Sequence, residues 1–421
     1  MHDFQYKNGK LCCEDVPLDQ IAAVCGTPTY VYSYKTLTDH LHKIQDAFKS
    51  ISPLICYSMK ANSNIAIVRA LVKEGAGVDV VSGGELYRAI KAKVEPSKIV
   101  YTSIGKTEQE IKQAIKKGIL MFNVESQEEL VIIENAAREM GKRTRVSIRV
   151  NPDVSPYTHK YIATGKKHTK FGLDIKTTED LIIRASVFSN IHVCGIHIHI
   201  GSQIVSSKPF VKALNKISKL IQKLKKKGVV LQYLNIGGGL GIIYKEEKPQ
   251  TAKQFADAVL KTLKNIDLKI IMEPGRFIVG NAGVLLTKVL YIKHTPVKRF
   301  VIVDAGMNDL IRPTLYRAYH QILPVGERFL KNQWKVDVVG PVCESGDFFA
   351  LERQMARVCA NELLSVMSVG AYGFSMSSNY NSRRRSAEVL VQGSRFELIR
   401  KREDYKDLVR GEKIPQYLEP S

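Results

Sequence analysis

Four stretches of this 421-residue chain carry side chains that could do chemistry together. Lys60 closes the apolar run "ICYSMKAN" (55–62), an unusual end for a strand that reads as buried. His197 and His199 alternate in "GIHIHIGSQ", which then supplies Gly201 and Ser202. "NIGGGLG" places Gly237, Gly238, Gly239 and Gly241 in one turn, and "MEPGR" ends on Glu273, Gly275 and Arg276. A buried lysine sheds its proton more readily and can then form an imine. The bare backbone N–H groups of a glycine turn can cradle a phosphate. A carboxylate can hold a proton on a ring nitrogen. Pyridoxal phosphate is the cofactor that needs all three at once.

Taken singly, each stretch has a plainer reading. A strand can simply emerge into water at Lys60, "GGGLG" can be a flexible turn, and "EPGR" can be a turn with a surface ion pair. His197 and His199 share a strand face, yet no third ligand pattern follows, so no metal is expected. The joint placement is what points to chemistry, and it depends on the elements that carry these residues. Apolar, β-branched runs recur in "LICYSM", "GVDVVS", "IVYTS", "ILMFNVES", "RVSIRVNP", "HVCGIHIHIGS", "LNIGGG" and "IIMEPG". Stretches of helical length separate most of them, such as 65–74, 107–117, 127–140 and 209–227. That alternation predicts an α/β fold, a (β/α)8 TIM-like barrel with its site where the strands end. An open doubly wound sheet is the alternative.

The barrel is expected over 30–275. Residues 1–29 and 276–421 are expected to form a second, mainly antiparallel β domain. Its signals are the Lys-Asn-Gly turn near the start and the short runs "VLLTKVLYIKH", "RFVIVDAG", "KVDVVGPVC" and "AEVLVQG". The stretch 153–173, rich in Pro, Lys, His and Gly, is the longest break in the pattern and reads as a functional or mobile loop after the fifth strand.

Composition limits the remaining possibilities. The formal charge is +22, but the basic residues are spread along the chain. The densest run, "KLIQKLKKKG", alternates lysines with Leu and Ile at helical spacing, the wet face of an amphipathic helix. With no nucleic-acid motif beside it, no nucleic-acid partner is expected. No run approaches the ~18 apolar residues of a membrane span, and the start lacks an apolar signal core. Seven cysteines, an odd number without a CxxC pair, read as a reducing cytoplasm and no disulfide framework.

"YSMKAN", "GIHIHIGSQ", "NIGGGLGI", "MEPGR", "CESGD" and "GAYG" stand in order along the chain. Together they resemble the diaminopimelate decarboxylases, fold-type III pyridoxal phosphate decarboxylases of the alanine-racemase-like class. The resemblance spans nearly the whole chain and implies a barrel plus a β domain. It also implies roles. Lys60 looks like the lysine that holds the cofactor, and His199 like the histidine that stacks on its ring. Ser202, Gly238, Gly239, Gly275, Arg276 and the Tyr372 hydroxyl match its phosphate contacts. Glu273 matches the acid beside the ring nitrogen; alanine racemases use an arginine there, so Glu273 favours decarboxylation.

For the substrate, the resemblance implies that Arg276, Arg312 and Tyr316 bind carboxylates, with Tyr372 close by. Glu344 matches the acid that takes the distal ammonium, and Cys343 the proton donor to Cα. In this family "CESGD" reaches the partner's site, so a homodimer with shared active sites is implied. The reaction implied is decarboxylation of meso-2,6-diaminopimelate to L-lysine and carbon dioxide, at the end of lysine synthesis. Decarboxylases of ornithine, lysine, arginine or carboxynorspermidine are the alternative. The stretch "FFALERQMARV" after "CESGD" is bulkier and more basic than the family pattern.

Overall fold

The computed structural model describes residues 2–155, 170–264, 266–327 and 333–418. The chain divides into two compact units, one formed by 34–281 and the other by 1–33 with 282–421. Most of the expected loop at 153–173, including much of "KKHTKFG", lies outside the described residues.

The first unit is a closed barrel of parallel strands. In chain order they are Leu54–Ser58, Gly77–Val80, Ile99–Thr102, Met121–Val124, Thr144–Arg149, Ile191–His197, Tyr233–Asn235 and Lys269–Met272. Each falls on one of the eight apolar runs. The strands read as near-continuous apolar segments because both faces are covered, by side chains within and helices outside. Cys56, Val100, Met121, Cys194 and Ile271 pack inside one core cluster.

The helices between strands start on side chains that satisfy their first N–H groups. Ser82 caps Gly83–Lys91, and Thr107 with Glu110 forms a full capping box on Glu108–Lys117. Glu110 also accepts from Gly83 N at 2.6 Å, fastening two neighbouring helix starts together. Lys208–Lys226 buries Phe210, Ala213, Leu214, Ile217, Leu220 and Leu224 at helical spacing, with its lysines on the other face. Among the described residues, no helix is long and apolar enough to cross a membrane.

The second unit is built from both ends of the chain. Phe4–Lys7 and Lys10–Cys13 form a hairpin around Asn8 and Gly9, both with positive φ. A larger mixed sheet runs in the order Phe348–Ala356, Gln333–Val339, Arg299–Val303, Gly283–His294, Thr29–Ser33, Ala387–Gln392, Arg395–Arg400. Thr29–Ser33 is fully buried between an antiparallel and a parallel neighbour. Its Val31 packs with Val284, Leu286, Val389 and Val391 against Phe4, Leu11 and Leu18. The unusual "FFALERQMA" stretch is a nine-residue strand paired with Gln333–Val339. All seven cysteines are free.

Candidate active site

Parallel register brings the polar residues of the barrel strands to one level near the strand ends. Ser58 is opposite Asp79, Thr102 opposite Asn123, Asn123 opposite Ser147, and His197 opposite Asn235. An alternation of period two then aims them inward. All but Thr102 are almost fully buried.

Glu273 is the centre of this layer. Its Oε1 accepts from Asn123 Nδ2 at 3.0 Å and from Asn235 Nδ2 at 2.5 Å. Its Oε2 lies 3.1 Å from His197 Nε2. Burial alone would push this carboxyl up. The charge and hydrogen bond of His197, the charge of Lys60 and the Asn235 amide outweigh it, and hold Glu273 well below the usual carboxylate range. Asn123 and Asn235 carry no signal of their own in the sequence. Each is a single amide inside an apolar run, and only the register shows what it binds.

Lys60 follows the first barrel strand in a one-turn 3₁₀ segment, Met59–Ala61. Its Nζ lies 3.6 Å from Asp79 Oδ2, which also accepts from Ser58 Oγ at 2.8 Å. Burial and the neighbouring Glu273 charge push the Asp79 carboxyl up, against the pull of Lys60. One helical turn on, Glu85 accepts from Val81 N, and burial pushes its carboxyl up to about 7.

His199 sits after the sixth strand, where its Nδ1 accepts from Gly238 N at 3.3 Å. Burial depresses its basicity, and the charges of Lys60 and Arg149 depress it further, so the imidazole is neutral. The glycine turn beside it has no room for side chains. A Cβ on Gly238 would come 2.0 Å from Glu273 O, and one on Gly239 (φ +107°) 2.2 Å from Gly201 O. Gly275 leads into the short helix Arg276–Val279. Arg276 Nη2 donates to Ser202 Oγ at 3.2 Å, and Nη1 to the Tyr244 hydroxyl at 2.6 Å. Tyr244 has no signal in the sequence. The structure thus brings Lys60, His199, Ser202, Gly238, Gly239, Glu273 and Arg276 onto the strand ends of one barrel, with Gly275 heading the Arg276 helix.

A second buried polar group lies beside this layer. Lys106 Nζ donates to Ser103 O, Asn123 O and Glu129 Oε1 at 2.7, 2.8 and 2.5 Å. Arg149 Nη1 pairs with Glu125 Oε1 at 2.6 Å. The Lys106 bond to Asn123 O braces the strand that carries the Asn123 amide.

The second unit holds the other residues named from the sequence. Arg312 and Tyr316 lie on the short helix Arg312–Tyr316, with the guanidinium carbon 6.0 Å from the Tyr316 ring centre. Arg312 is buried, and its Nε donates to His320 Nε2 at 3.4 Å. His320 Nδ1 meets Met367 O at 2.9 Å, which fixes the tautomer that leaves Nε2 as acceptor. Cys343 and Glu344 are exposed at the tip of a turn. Asp347 anchors that turn by accepting from Met307 N and Val342 N, both at 2.6 Å. Thr314 Oγ1 donates to Gly346 O at 2.5 Å, tying it to the Arg312 helix. Tyr372 adopts a left-handed φ of 58°, a conformation non-glycine residues seldom take.

Residues 34–280 match the pyridoxal binding domain of the pyridoxal-dependent decarboxylases. Diaminopimelate decarboxylase of Aquifex aeolicus is 50% identical over 406 residues, 96% of this chain and 96% of its own length. The chain belongs to the diaminopimelate decarboxylase family. The M. jannaschii diaminopimelate decarboxylase crystallised with L-lysine superposes with a TM-score of 0.94 at 39% identity, over 99% of this chain and 100% of that one. The Helicobacter pylori diaminopimelate decarboxylase complexed with L-lysine gives 0.90 at 40%, over 93% and 98%.

Diaminopimelate decarboxylases work with pyridoxal phosphate, and the barrel of this family member suits it. The turn at Gly238 and Gly239 packs so closely on Glu273 O and Gly201 O that only bare backbone fits there. Among the described residues, no group of His, Cys, Asp and Glu side chains is arranged to hold a metal ion. The donor set pairs a lysine with one ionised acid and backbone N–H groups, which is the chemistry of an aldehyde, a ring nitrogen and a phosphate.

Proposed function

We propose that the chain decarboxylates meso-2,6-diaminopimelate at its D-configured centre, giving L-lysine and carbon dioxide at the end of lysine synthesis. The observation that carries this reading is Glu273, buried yet ionised between Asn123, Asn235 and His197. A carboxylate so fixed keeps a proton on a ring nitrogen, and a protonated ring is the strong electron sink that loss of carbon dioxide requires.

Lys60 is the residue that holds the cofactor, and its Nζ lies 3.6 Å from the buried Asp79 carboxyl. Neutral His199 offers a flat uncharged face to the ring. The turn at Gly238 and Gly239 and the backbone of Gly275 and Arg276 hold the phosphate, with the hydroxyls of Ser202 and Tyr372. When bound, pyridoxal phosphate supplies the sink for the electron pair left at Cα as carbon dioxide departs. Arg276, Arg312 and Tyr316 grip carboxylates, for which the planar guanidinium fork is suited. Glu344 takes the distal ammonium, and Cys343 delivers a proton to Cα.

A substrate whose distal end is only a cation has no use for Arg312, which argues against ornithine or lysine. Exposure of Cys343 and Glu344 in their own chain supports a homodimer in which each subunit completes its partner's site. We assign the enzyme to the cytoplasm, where its free cysteines would stay reduced. The test is carbon dioxide release from meso-diaminopimelate, L-lysine and L-ornithine, with Lys60→Ala as the blank. A preference for ornithine or lysine would overturn the assignment.

A further inference from the structure

Two adjacent residues of one turn hold two adjacent residues of another. The Tyr380 hydroxyl donates to Glu344 Oε2 at 2.8 Å, and the Cys343 thiol donates to Asn381 Oδ1 at 3.3 Å. The Tyr380–Asn381 pair is displayed on a costly backbone. Asn381 and Ser382 both take left-handed φ, 55° and 53°, a conformation asparagine tolerates and serine seldom takes.

Both turns are also fastened from behind. Ser378 N donates to Asn308 O at 2.9 Å. Asn379 Nδ2 donates to Arg383 O at 3.0 Å and to Glu403 Oε2 at 2.6 Å, and that oxygen also accepts from Arg385 N. On the facing turn, Asp347 and Thr314 supply the anchors already described. Hydrogen bonds between exposed side chains add little to stability. Folding therefore gives no account of a strained, multiply tied turn that presents an exposed hydroxyl and an exposed amide.

We propose that Tyr380 and Asn381 are positioning residues for the decarboxylation: Tyr380 fixes the carboxylate of Glu344 for the distal ammonium, and Asn381 fixes the direction of the Cys343 S–H bond. This rests on the roles given above to Glu344 and Cys343. A free glutamate side chain loses rotamer freedom when it is immobilised. The tyrosine bond settles that cost before substrate arrives. The thiol is a weak donor on a freely rotating bond, and an amide oxygen at 3.3 Å gives it a resting direction. The two residues thus act on different stages, one on binding and one on proton delivery.

The experiment uses the purified cofactor-loaded enzyme with meso-diaminopimelate. Tyr380→Phe is expected to raise KM about tenfold while kcat stays within about twofold. Asn381→Gly keeps the left-handed backbone and is expected to lower kcat about tenfold with little change in KM. Asn381→Asp, which retains an acceptor oxygen, restores most of kcat. Glu344→Gln and Cys343→Ser are measured alongside. If these two lower activity but Tyr380→Phe and Asn381→Gly change neither constant, the positioning role is overturned and the proposed function stands. If Glu344→Gln and Cys343→Ser are themselves silent, the roles beneath the inference fall and the inference falls with them. A uniform loss of activity that follows a fall in Tm marks a structural role and likewise overturns it.

Discussion

His197 Nε2 lies 3.1 Å from Glu273 Oε2, with both side chains sealed in the barrel. This contact is a leading cause of the depressed Glu273 carboxyl. Its removal in His197→Leu should let burial prevail, so that Glu273 protonates closer to neutrality. A group whose folded pKa is depressed stabilises the fold above its unfolded value, and that stability fades as pH falls through the folded value. The variant should therefore lose stability at pH 7 and show an acid limb in kcat that moves toward neutral pH. Activity near pH 6 should fall at least about tenfold relative to pH 8. Profiles of kcat for both proteins that superpose from pH 5 to 8 would contradict this.

Gly238→Ala should be among the most damaging one-carbon changes in the chain. The added methyl would sit 2.0 Å from Glu273 O, a backbone atom that cannot swing aside. A loss of at least about 2 kcal/mol in stability is expected, with weaker cofactor retention. Gly105→Ala is the control, because its Cβ would meet nothing within 4 Å. Thermal melting and cofactor absorbance after dialysis separate the two.

Lys106→Met should destabilise the barrel by about 3–5 kcal/mol, since it leaves Glu129 buried without its cation. Adding Glu129→Gln to the same chain should recover part of that loss by removing the stranded charge. Urea denaturation of the single and double variants measures the difference. Equal stability of the two would mean that the ion pair is not what matters at this position.

Mixing two inactive variants tests the shared sites. If Cys343 and Glu344 serve the partner's barrel, a Lys60→Ala subunit paired with a Cys343→Ala subunit contains one intact site. Mixed and reassembled preparations should recover up to roughly a quarter of wild-type activity by random pairing of subunits. No recovery despite proven subunit exchange would place all the residues of each site on one chain.

Residues whose chemistry stands out against their neighbours were legible in the sequence. Lys60, the glycine turn and Glu273 each interrupt an apolar run at its end, and the eight runs marked the eight barrel strands. The residues that support them were not legible. Asn123 and Asn235 meet Glu273 only through strand register, across 150 and 38 positions of chain. Phe348–Ala356 does not read as a strand, because its pairing shifts register and Glu352 takes a φ of 49°, which spoils the alternation. Thr29–Ser33 was hidden differently, as a short run whose partners begin at Gly283 and Ala387.

That last strand sets a schedule for the growing chain. Thr29–Ser33 leaves the ribosome early, yet both of its sheet neighbours come after the entire 34–281 unit, and the second ends at Gln392. At ~5–20 residues per second the delay is on the order of tens of seconds. Throughout that time "TYVYS", with Leu11, Val16 and Leu18 nearby, is an apolar segment without its sheet. The barrel has every strand it needs well before translation stops, whereas the second unit must close across its longest loop at the end. Newborn chains that stall before Ala387 should thus be the ones that chaperones capture.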